Sequence, residues 1–285
     1  MPTAELNGVS LYYEESGRGN PILFVHGIPT DYRAWKAQVG PFSGTRRVVS
    51  ISRRYAAPNK REGDVSDSTV QNNALDLKNF IESIGGPVDL VGHSYGGFAS
   101  AFLAADHPDL VRSLVLVEPA VSTLLVADQT SGAQALGLLL KSPSAALSGR
   151  RFQTKSLKPS LEALEKGDAP KAVELNVDGV QDKVGAYNSL SADAKGMMLD
   201  NARTIAELKT TFPRFTAAEA GKISKPTLII NGEMSAAWLR KIGELMGKAV
   251  PGSKRILAPG SRHFPHMENP EFFNSSVLSF LDGIR

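Results

Sequence analysis

The sequence predicts an α/β fold with a mostly parallel sheet and helices on both of its faces. Two observations indicate this architecture. Short apolar runs typical of strands buried on both faces alternate with stretches of helical periodicity toward both ends of the chain. The middle of the chain breaks this alternation and contains helical patches only. Since alternating strands and helices are typical of parallel sheets, we predict one sheet-based core that is interrupted by a helical insertion.

The strands are predicted from their apolar runs and the turns that bound them. Residues 4–15 contain two strand-like pieces around Asn7-Gly8, a dipeptide that is typical of hairpin turns. Further strands are predicted at 21–27, 46–52, 88–92, 112–119, 225–232 and 253–260.

Helices are predicted between these strands. For the segment 68–84, the apolar spacing is helical, Ser68 is the expected N-cap, and Gly85-Gly86 is the expected stop. The other predicted helices are 31–39, 96–105, 236–248 and 270–281.

Residues 120–222 differ from the rest of the chain. They are rich in Ala, Leu, Lys and Asp, and proline and glycine interrupt their helical patches. Because this segment lies between two predicted core strands, we expect a helical cap over the carboxyl edge of the sheet. The predicted division is therefore a core of residues 1–119 and 223–285, with a helical cap at 120–222.

Composition and charge exclude several classes of function. The net charge is only +3, and the basic stretch 52–62 is too short and too broken to predict nucleic-acid binding. The chain has no cysteine, which excludes disulfides, zinc–thiolate sites and thiol catalysis. Neither a secretory signal nor an apolar run of membrane-spanning length is recognisable, so we expect a cytoplasmic protein with no membrane partner.

One short stretch, DLVGHSYGGF, carries a candidate nucleophile. Gly92-His93-Ser94-Tyr95-Gly96 matches G-x-S-x-G, the pattern of a tight strand-to-helix turn that exposes the hydroxyl of its central serine. An apolar strand precedes the motif and a small-residue helix follows it, as the turn requires. We therefore interpret Ser94 as a nucleophile rather than as part of an ordinary glycine-rich turn.

With this motif in place, the chain resembles the α/β-hydrolase family, and the resemblance runs nearly from end to end. The first core strand ends in HGIPTDYRAW, which is similar to the oxyanion loop of that family. The resemblance implies that the backbone N–H groups of Ile28 and Tyr95 form the oxyanion hole. His26 lies too early for the chain order Ser…Asp/Glu…His, so we interpret it as a structural histidine of this loop.

The chain has five histidines that are candidates for the base. The family order places it after the last core strand, in PGSRHFPHMENP, where His263 matches the expected position and His266 is the alternative. The side chain of His93 should diverge from that of its neighbour Ser94. His107 lies at the far end of the helix after Ser94, well away from the nucleophile.

The acid departs from the usual pattern of the family. Members usually read G-x-x-D after the strand 225–232, whereas this chain reads Gly232-Glu233-Met234-Ser235. Glu118 ends the strand after the nucleophile helix, and some relatives resemble this chain in placing their acid there. We predict Glu118 as the acid, with Glu233 as the alternative and the absence of any acid as a third possibility.

Several other side chains have a structural interpretation beside a functional one. Arg53 and Arg54 follow the strand 46–52 and could bind a substrate carboxylate, although loop salt bridges are the preferred interpretation. Trp35 and the pair Met197-Met198 are predicted to pack, with a pocket-lining role for the methionines as the alternative. The acids Asp178, Asp182 and Asp193 are too dispersed for a metal site, and we predict no cofactor.

These residues together predict a serine hydrolase that cleaves a small-molecule carboxylic ester or lactone through an acyl-enzyme. A serine nucleophile argues against dehalogenase or epoxide hydrolase activity, for which the family resemblance implies an aspartate at that position. A hydrolase-fold ligand sensor and a non-hydrolytic enzyme such as a hydroxynitrile lyase remain as alternatives, because both would keep Ser94 and His263.

Overall fold

The fold is an eight-stranded sheet with helices packed on both faces, which confirms the predicted class. The computed structural model describes residues 2–6, 8–60, 62–128 and 130–284. The strands are β1 (Thr3–Leu6), β2 (Val9–Ser16), β3 (Pro21–Val25), β4 (Arg47–Ile51), β5 (Val88–His93), β6 (Val111–Val117), β7 (Thr227–Gly232) and β8 (Lys254–Ala258). Their spatial order is β1-β2-β4-β3-β5-β6-β7-β8. The first two strands pair antiparallel with their neighbours, and all later pairings are parallel.

The first two strands form the predicted hairpin. Leu6 lies opposite Val9 in their antiparallel register, so only two residues connect the strands. Gly8 has a φ of +73°, which a glycine adopts without steric cost. Asn7, the other residue of the predicted turn, lies outside the described residues.

Twelve α-helices connect and cover the strands. They are α1 (Lys36–Ser43), α2 (Val70–Ser83), α3 (Ser94–Asp106), α4 (Gly132–Lys141), α5 (Pro143–Phe152), α6 (Lys158–Glu165), α7 (Ala169–Val180), α8 (Ala192–Asp200), α9 (Ala217–Ala220), α10 (Ala237–Ala249), α11 (Pro265–Glu268) and α12 (Pro270–Asp282), as counted over the described residues. Short 3₁₀ turns and one π-helical turn at Gln153–Leu157 complete the set. The described residues between 120 and 222 form no strand.

Two helix starts differ in detail from the prediction. The predicted N-cap Ser68 is wrong: Thr69 caps α2, because its hydroxyl accepts the backbone N–H of Asn72. Two adjacent hydroxyl residues offer the same capping chemistry, so the sequence does not discriminate between them. The predicted helix 31–39 begins as a 3₁₀ turn, Tyr32–Trp35, that Asp31 caps before α1 begins at Lys36.

The alternation of side chains along the strands creates two hydrophobic cores, one on each face of the sheet. Leu23 and Val25 of β3 belong to the core shared with α2, α3 and α10. Ile22 and Phe24 belong to the core shared with α1 and α12. Met197 and Met198 of α8 are buried in the first of these cores, as predicted for helical packing.

The parallel strands deliver the loops of interest to one edge of the sheet. The chain leaves β3, β5, β6, β7 and β8 at their carboxyl ends, which meet at the same edge because these strands are parallel neighbours. None of the described helices combines the length and apolar character that spanning a membrane requires.

Candidate active site

Ser94 occupies a strained turn between β5 and α3. Its φ is +52°, a left-handed conformation that is uncommon for a residue other than glycine. Gly96 makes the turn possible, since a Cβ atom at this position would overlap the carbonyl oxygen of His26. The turn places the Ser94 side chain at the amino end of α3, and the residue is 7% exposed. The local geometry is that of a nucleophile elbow.

His263 faces Ser94 from the loop between β8 and α11. Its Nε2 lies 3.0 Å from the Ser94 Oγ, within hydrogen-bond distance. The loop is held in place by two contacts to the His263 backbone. The His93 Nε2 donates to the His263 carbonyl oxygen at 2.8 Å, and the Gln181 side chain accepts the His263 N–H at 3.0 Å.

Glu118 approaches the other side of the imidazole. It follows the last residue of β6 and has a φ of +48°, so the chain turns out of the sheet at this point. Its Oε2 lies 3.3 Å from the His263 Nδ1. Its Oε1 accepts hydrogen bonds from the Asn231 Nδ2 at 2.9 Å and from the Gly232 N–H at 2.7 Å. The carboxylate is thus held between β7 and the histidine.

The alternative acid and alternative base lie elsewhere. Glu233 is exposed, and its Oε2 accepts the backbone N–H of Gly260 at 3.0 Å. His266 is fully buried and stacks on Trp35, with ring centroids 4.3 Å apart. His107 caps the far end of α3. Within the described part of the chain, only Glu118 among the carboxylates contacts the His263 ring.

Ser235 stands where the family pattern usually has an aspartate. It is buried beside Glu118, close enough that its hydroxyl lowers the pKa of that carboxyl. The hydroxyl makes no hydrogen bond of ordinary geometry with the described residues. The chain thus keeps a small polar group at the usual acid position, next to the carboxylate that comes from the neighbouring strand.

Burial sets the protonation of both partners. It lowers the pKa of His263 to about 3, which keeps the imidazole neutral and able to accept a proton. It also raises the pKa of Glu118 to about 7, against the hydrogen bonds from Asn231 and Gly232, the Ser235 hydroxyl and the charge of Arg255, which lower it. The pair is therefore neutral imidazole and carboxylate above about pH 7.

The predicted oxyanion donors belong to two segments next to Ser94, the loop after β3 and the start of α3. Gly27 packs directly against the serine, since a Cβ at Gly27 would lie only 2.8 Å from the Ser94 Cβ. Ile28 follows on this loop and is buried. Tyr95 is in the first turn of α3, where the backbone N–H groups have no acceptor within the helix. The oxyanion hole formed by these two amides remains a prediction.

The polar residues around this loop have structural partners. His26 is buried, with its Nδ1 2.8 Å from the Gly27 carbonyl oxygen and its Nε2 accepting the Arg53 N–H at 2.9 Å. The Arg53 guanidinium pairs with Glu207 of the helical segment at 2.7 Å. Arg54 pairs with Asp76 at 2.8 Å and with Asp67 at 2.9 Å. The predicted salt bridges of both arginines are thus confirmed.

Two residues at the site were missed by reasoning from sequence. Asn231 follows three apolar residues in β7, and a polar side chain in a buried strand needs a partner, so this signal was present. Gln181, just after α7, has no comparable signal. It reaches the loop of His263 only through the packing of the helical segment, where its Nε2 also donates to Glu268 at 2.6 Å.

The raised pKa of Glu118 leads to an expected change of stability with pH. A folded-state pKa above the ordinary value of 4.5 means that folding favours the protonated carboxyl. This contribution is present below about pH 4.5 and lost as the pH rises through about 7. Relative to wild type, Glu118→Gln should therefore gain about 3 kcal/mol in free energy of unfolding between about pH 4.5 and about pH 8. Denaturant unfolding of both proteins at the two pH values measures this; a constant difference contradicts it.

Comparison with known proteins identifies the family of the chain. A model of the alpha/beta hydrolase family matches residues 22–276. Epoxide hydrolase 3 of Mus musculus is 24% identical over an alignment that covers 100% of this chain and 77% of the relative. The 2-(acetamidomethylene)succinate hydrolase of Mesorhizobium japonicum is 26% identical, with 98% of this chain and 94% of the relative covered.

Solved structures share the fold. The esterase RhEst1 from Rhodococcus sp. ECU1013 superposes with a TM-score of 0.74, covering 99% of this chain and 98% of its own, at 18% sequence identity. The family match extends over most of the chain and includes β3, β5, β6, β7 and β8, whose loops carry the candidate site. The chain therefore belongs to the alpha/beta hydrolase family.

Proposed function

We propose that this hydrolase cleaves a small-molecule carboxylic ester or lactone through an acyl-enzyme on Ser94. The observation that carries the proposal is the continuous contact from Ser94 through His263 to Glu118, with the 3.0 Å and 3.3 Å distances given above. A serine hydroxyl is a weak nucleophile unless a base accepts its proton and a third group orients the base. All three groups are present and buried.

In the first half of the reaction, the Ser94 Oγ attacks the carbonyl carbon while the His263 Nε2 takes the hydroxyl proton. The carbonyl oxygen becomes an oxyanion, which the N–H groups of Ile28 and Tyr95 stabilise. Glu118 accepts the His263 Nδ1–H, which keeps the correct tautomer and stabilises the imidazolium. His263 then gives its proton to the leaving alkoxide, and the acyl group stays on Ser94.

In the second half, water takes the place of the alcohol. His263 accepts a proton from the water as its oxygen attacks the acyl carbon, and the tetrahedral intermediate forms again in the same oxyanion hole. Collapse of that intermediate releases the carboxylic acid and returns the proton to the Ser94 Oγ. No other group has to change protonation over the full cycle.

The choice between ester and epoxide substrates follows from the nucleophile. A serine that opened an epoxide would be left as an ether, which water does not readily hydrolyse, whereas an acyl-serine is an ester and turns over. One relative is an epoxide hydrolase by name, and another is the 2-(acetamidomethylene)succinate hydrolase. Ser94 favours acyl chemistry for this chain.

We also propose that the helical segment 120–222 acts as a cap over the site. Its contacts support this role: Gln181 bonds the backbone of His263, and Phe152 stacks on Trp238 of α10 with ring centroids 5.3 Å apart. Glu207 joins the segment to Arg53 beside the oxyanion loop. Since these contacts surround the loops that carry the site, the cap side chains would select the acyl and alcohol groups of the substrate.

Steady-state hydrolysis of p-nitrophenyl esters tests the proposal. We expect continuous release of p-nitrophenol over many enzyme equivalents from short-chain esters, and a lactone panel then separates the two substrate classes. A single stoichiometric burst without further turnover would instead support a ligand sensor and contradict the hydrolase proposal.

A further inference from the structure

The Glu118 carboxylate uses its two oxygens differently. The Oε2 faces His263, whereas the Oε1 is turned toward β7 and accepts two hydrogen bonds there, at 2.9 Å from Asn231 and 2.7 Å from Gly232. The backbone N–H of Gly232 has a fixed direction because it belongs to β7. The side-chain amide of Asn231 is a donor only if its nitrogen, rather than its oxygen, points at Glu118.

Arg255 on the outer strand β8 favours that orientation, together with the Leu239 carbonyl oxygen, which accepts the Asn231 Nδ2 at 3.5 Å. Its Nε donates to the Asn231 Oδ1 at 2.9 Å. A guanidinium has donors only, so it can bind the oxygen of the amide and not its nitrogen. If the Asn231 amide were flipped, its NH₂ group would face the donor of Arg255. Its oxygen would then face the carboxylate oxygen of Glu118. The amide is fully buried, so the acceptor pair at Glu118 would not be relieved by solvent, and the exposed Arg255 would have to turn away from Asn231.

Gly243 of α10 leaves the space in which Asn231 lies. A Cβ atom at position 243 would overlap the Asn231 Oδ1 and would approach its Nδ2 to 2.9 Å. One helical turn later on the same helix, a Cβ at Gly247 would meet nothing closer than the Arg255 Cβ at 3.7 Å, an ordinary van der Waals contact. The lack of a side chain is therefore a requirement at Gly243 and not at Gly247.

We infer that Arg255 is a positioning residue of the active site, which acts through the Asn231 amide to hold Glu118 ionised and aimed at His263. The inference rests on the proposed function, since it assigns Arg255 a part in the same proton transfer. Arg255 touches neither Ser94 nor His263 in the described structure. Hydrogen bonds connect Arg255 on β8 to Asn231 on β7, and Asn231 to Glu118, which follows β6. The connection therefore crosses three adjacent strands.

The charge of Arg255 acts in the same direction as its hydrogen bond. It lowers the pKa of Glu118, while Glu118 and Glu244 act on Arg255 in return. Among the described titratable groups, Glu268 also interacts with Glu118, besides Arg255 and His263. Loss of Arg255 therefore raises the pKa of Glu118 and leaves less of the active carboxylate form at a given pH.

The test is the pH profile of kcat/KM for a p-nitrophenyl ester. Arg255→Met should move the acid limb to higher pH by about half a unit or more, with most of the activity regained at high pH. Arg255→Lys keeps the charge and should restore part of the shift. Arg240→Met removes a neighbouring surface arginine whose side chain makes none of these contacts, and it should leave the limb in place.

Gly243→Ala and Gly247→Ala provide a second, matched pair on one helix. Gly243→Ala should shift the acid limb in the same direction as Arg255→Met, and Gly247→Ala should not. An acid limb that stays in place in Arg255→Met, or that moves equally in Arg240→Met, overturns the inference. If Gly243→Ala fails to fold, the arginine variants still decide.

A readout independent of turnover separates this inference from the proposed function. The carbon-13 chemical shift of the Glu118 carboxyl, assigned by its loss in Glu118→Gln, reports its titration in the resting protein. We expect a higher midpoint in Arg255→Met than in wild type, whether or not an ester is hydrolysed. Equal midpoints reject the inference alone, whereas absent ester turnover in the wild type rejects the proposed function alone.

Discussion

Ser94→Ala should abolish steady-state ester hydrolysis, with kcat lower by about 10⁶-fold. Alanine removes the Ser94 Oγ, which lies 3.0 Å from the His263 Nε2. It keeps the Cβ, so the strained turn at a φ of +52° needs no rearrangement and the variant should fold. The loss is measured with a p-nitrophenyl ester under saturating conditions.

A buried serine on the same helix gives the control. Ser100 is fully buried in α3 and makes no contact with His263 among the described residues, so Ser100→Ala should keep kcat within a few-fold of wild type. Turnover by Ser94→Ala that comes near the wild-type rate would show that another group is the nucleophile.

Glu118→Gln has the second largest expected effect, a fall in kcat of about 10⁴-fold. The Asn231 amide and the Gly232 N–H both donate to the Oε1 position, so the oxygen of the new amide will be held there. Its NH₂ group must then face the His263 Nδ1 and donate to it. The proton of the neutral imidazole moves to Nε2, where it blocks the acceptance of the Ser94 proton.

Glu233→Gln is the matched comparison. Glu233 lies after the strand where the family usually has its acid, yet its carboxylate is exposed and accepts the N–H of Gly260. We expect its kcat to stay within a few-fold of wild type. If Glu233→Gln causes the large loss and Glu118→Gln does not, the assignment of the acid is reversed.

The architecture could be predicted because buried parallel strands are continuous apolar runs that alternate with helices. The positions of Ser94 and His263 followed from a motif and from the family's chain order. The prediction of Glu118 also depends on the order of the strands. An acid that ends the strand next to the nucleophile strand lies at the same edge of the sheet as the nucleophile. Each of these signals is local or depends on strand order alone.

What could not be predicted depends on contacts between distant parts of the chain. Gln181 reaches the His263 backbone across 82 positions, and no local pattern marks it. The orientation of the Asn231 amide depends on Arg255 of the next strand and on the space left by Gly243. Such contacts follow from the packing of whole elements, which periodicity and motif spacing do not specify.

The central claim is that Ser94 carries a covalent acyl group during turnover. Acid quenching during steady-state hydrolysis of p-nitrophenyl acetate, followed by peptide mass spectrometry, tests it directly. We predict one added acetyl group on the peptide that contains Ser94, present in wild type, enriched in Glu118→Gln if deacylation slows more than acylation, and absent from Ser94→Ala. Turnover without any acyl group on that peptide, or an acyl group at another residue that is required for turnover, would contradict the account.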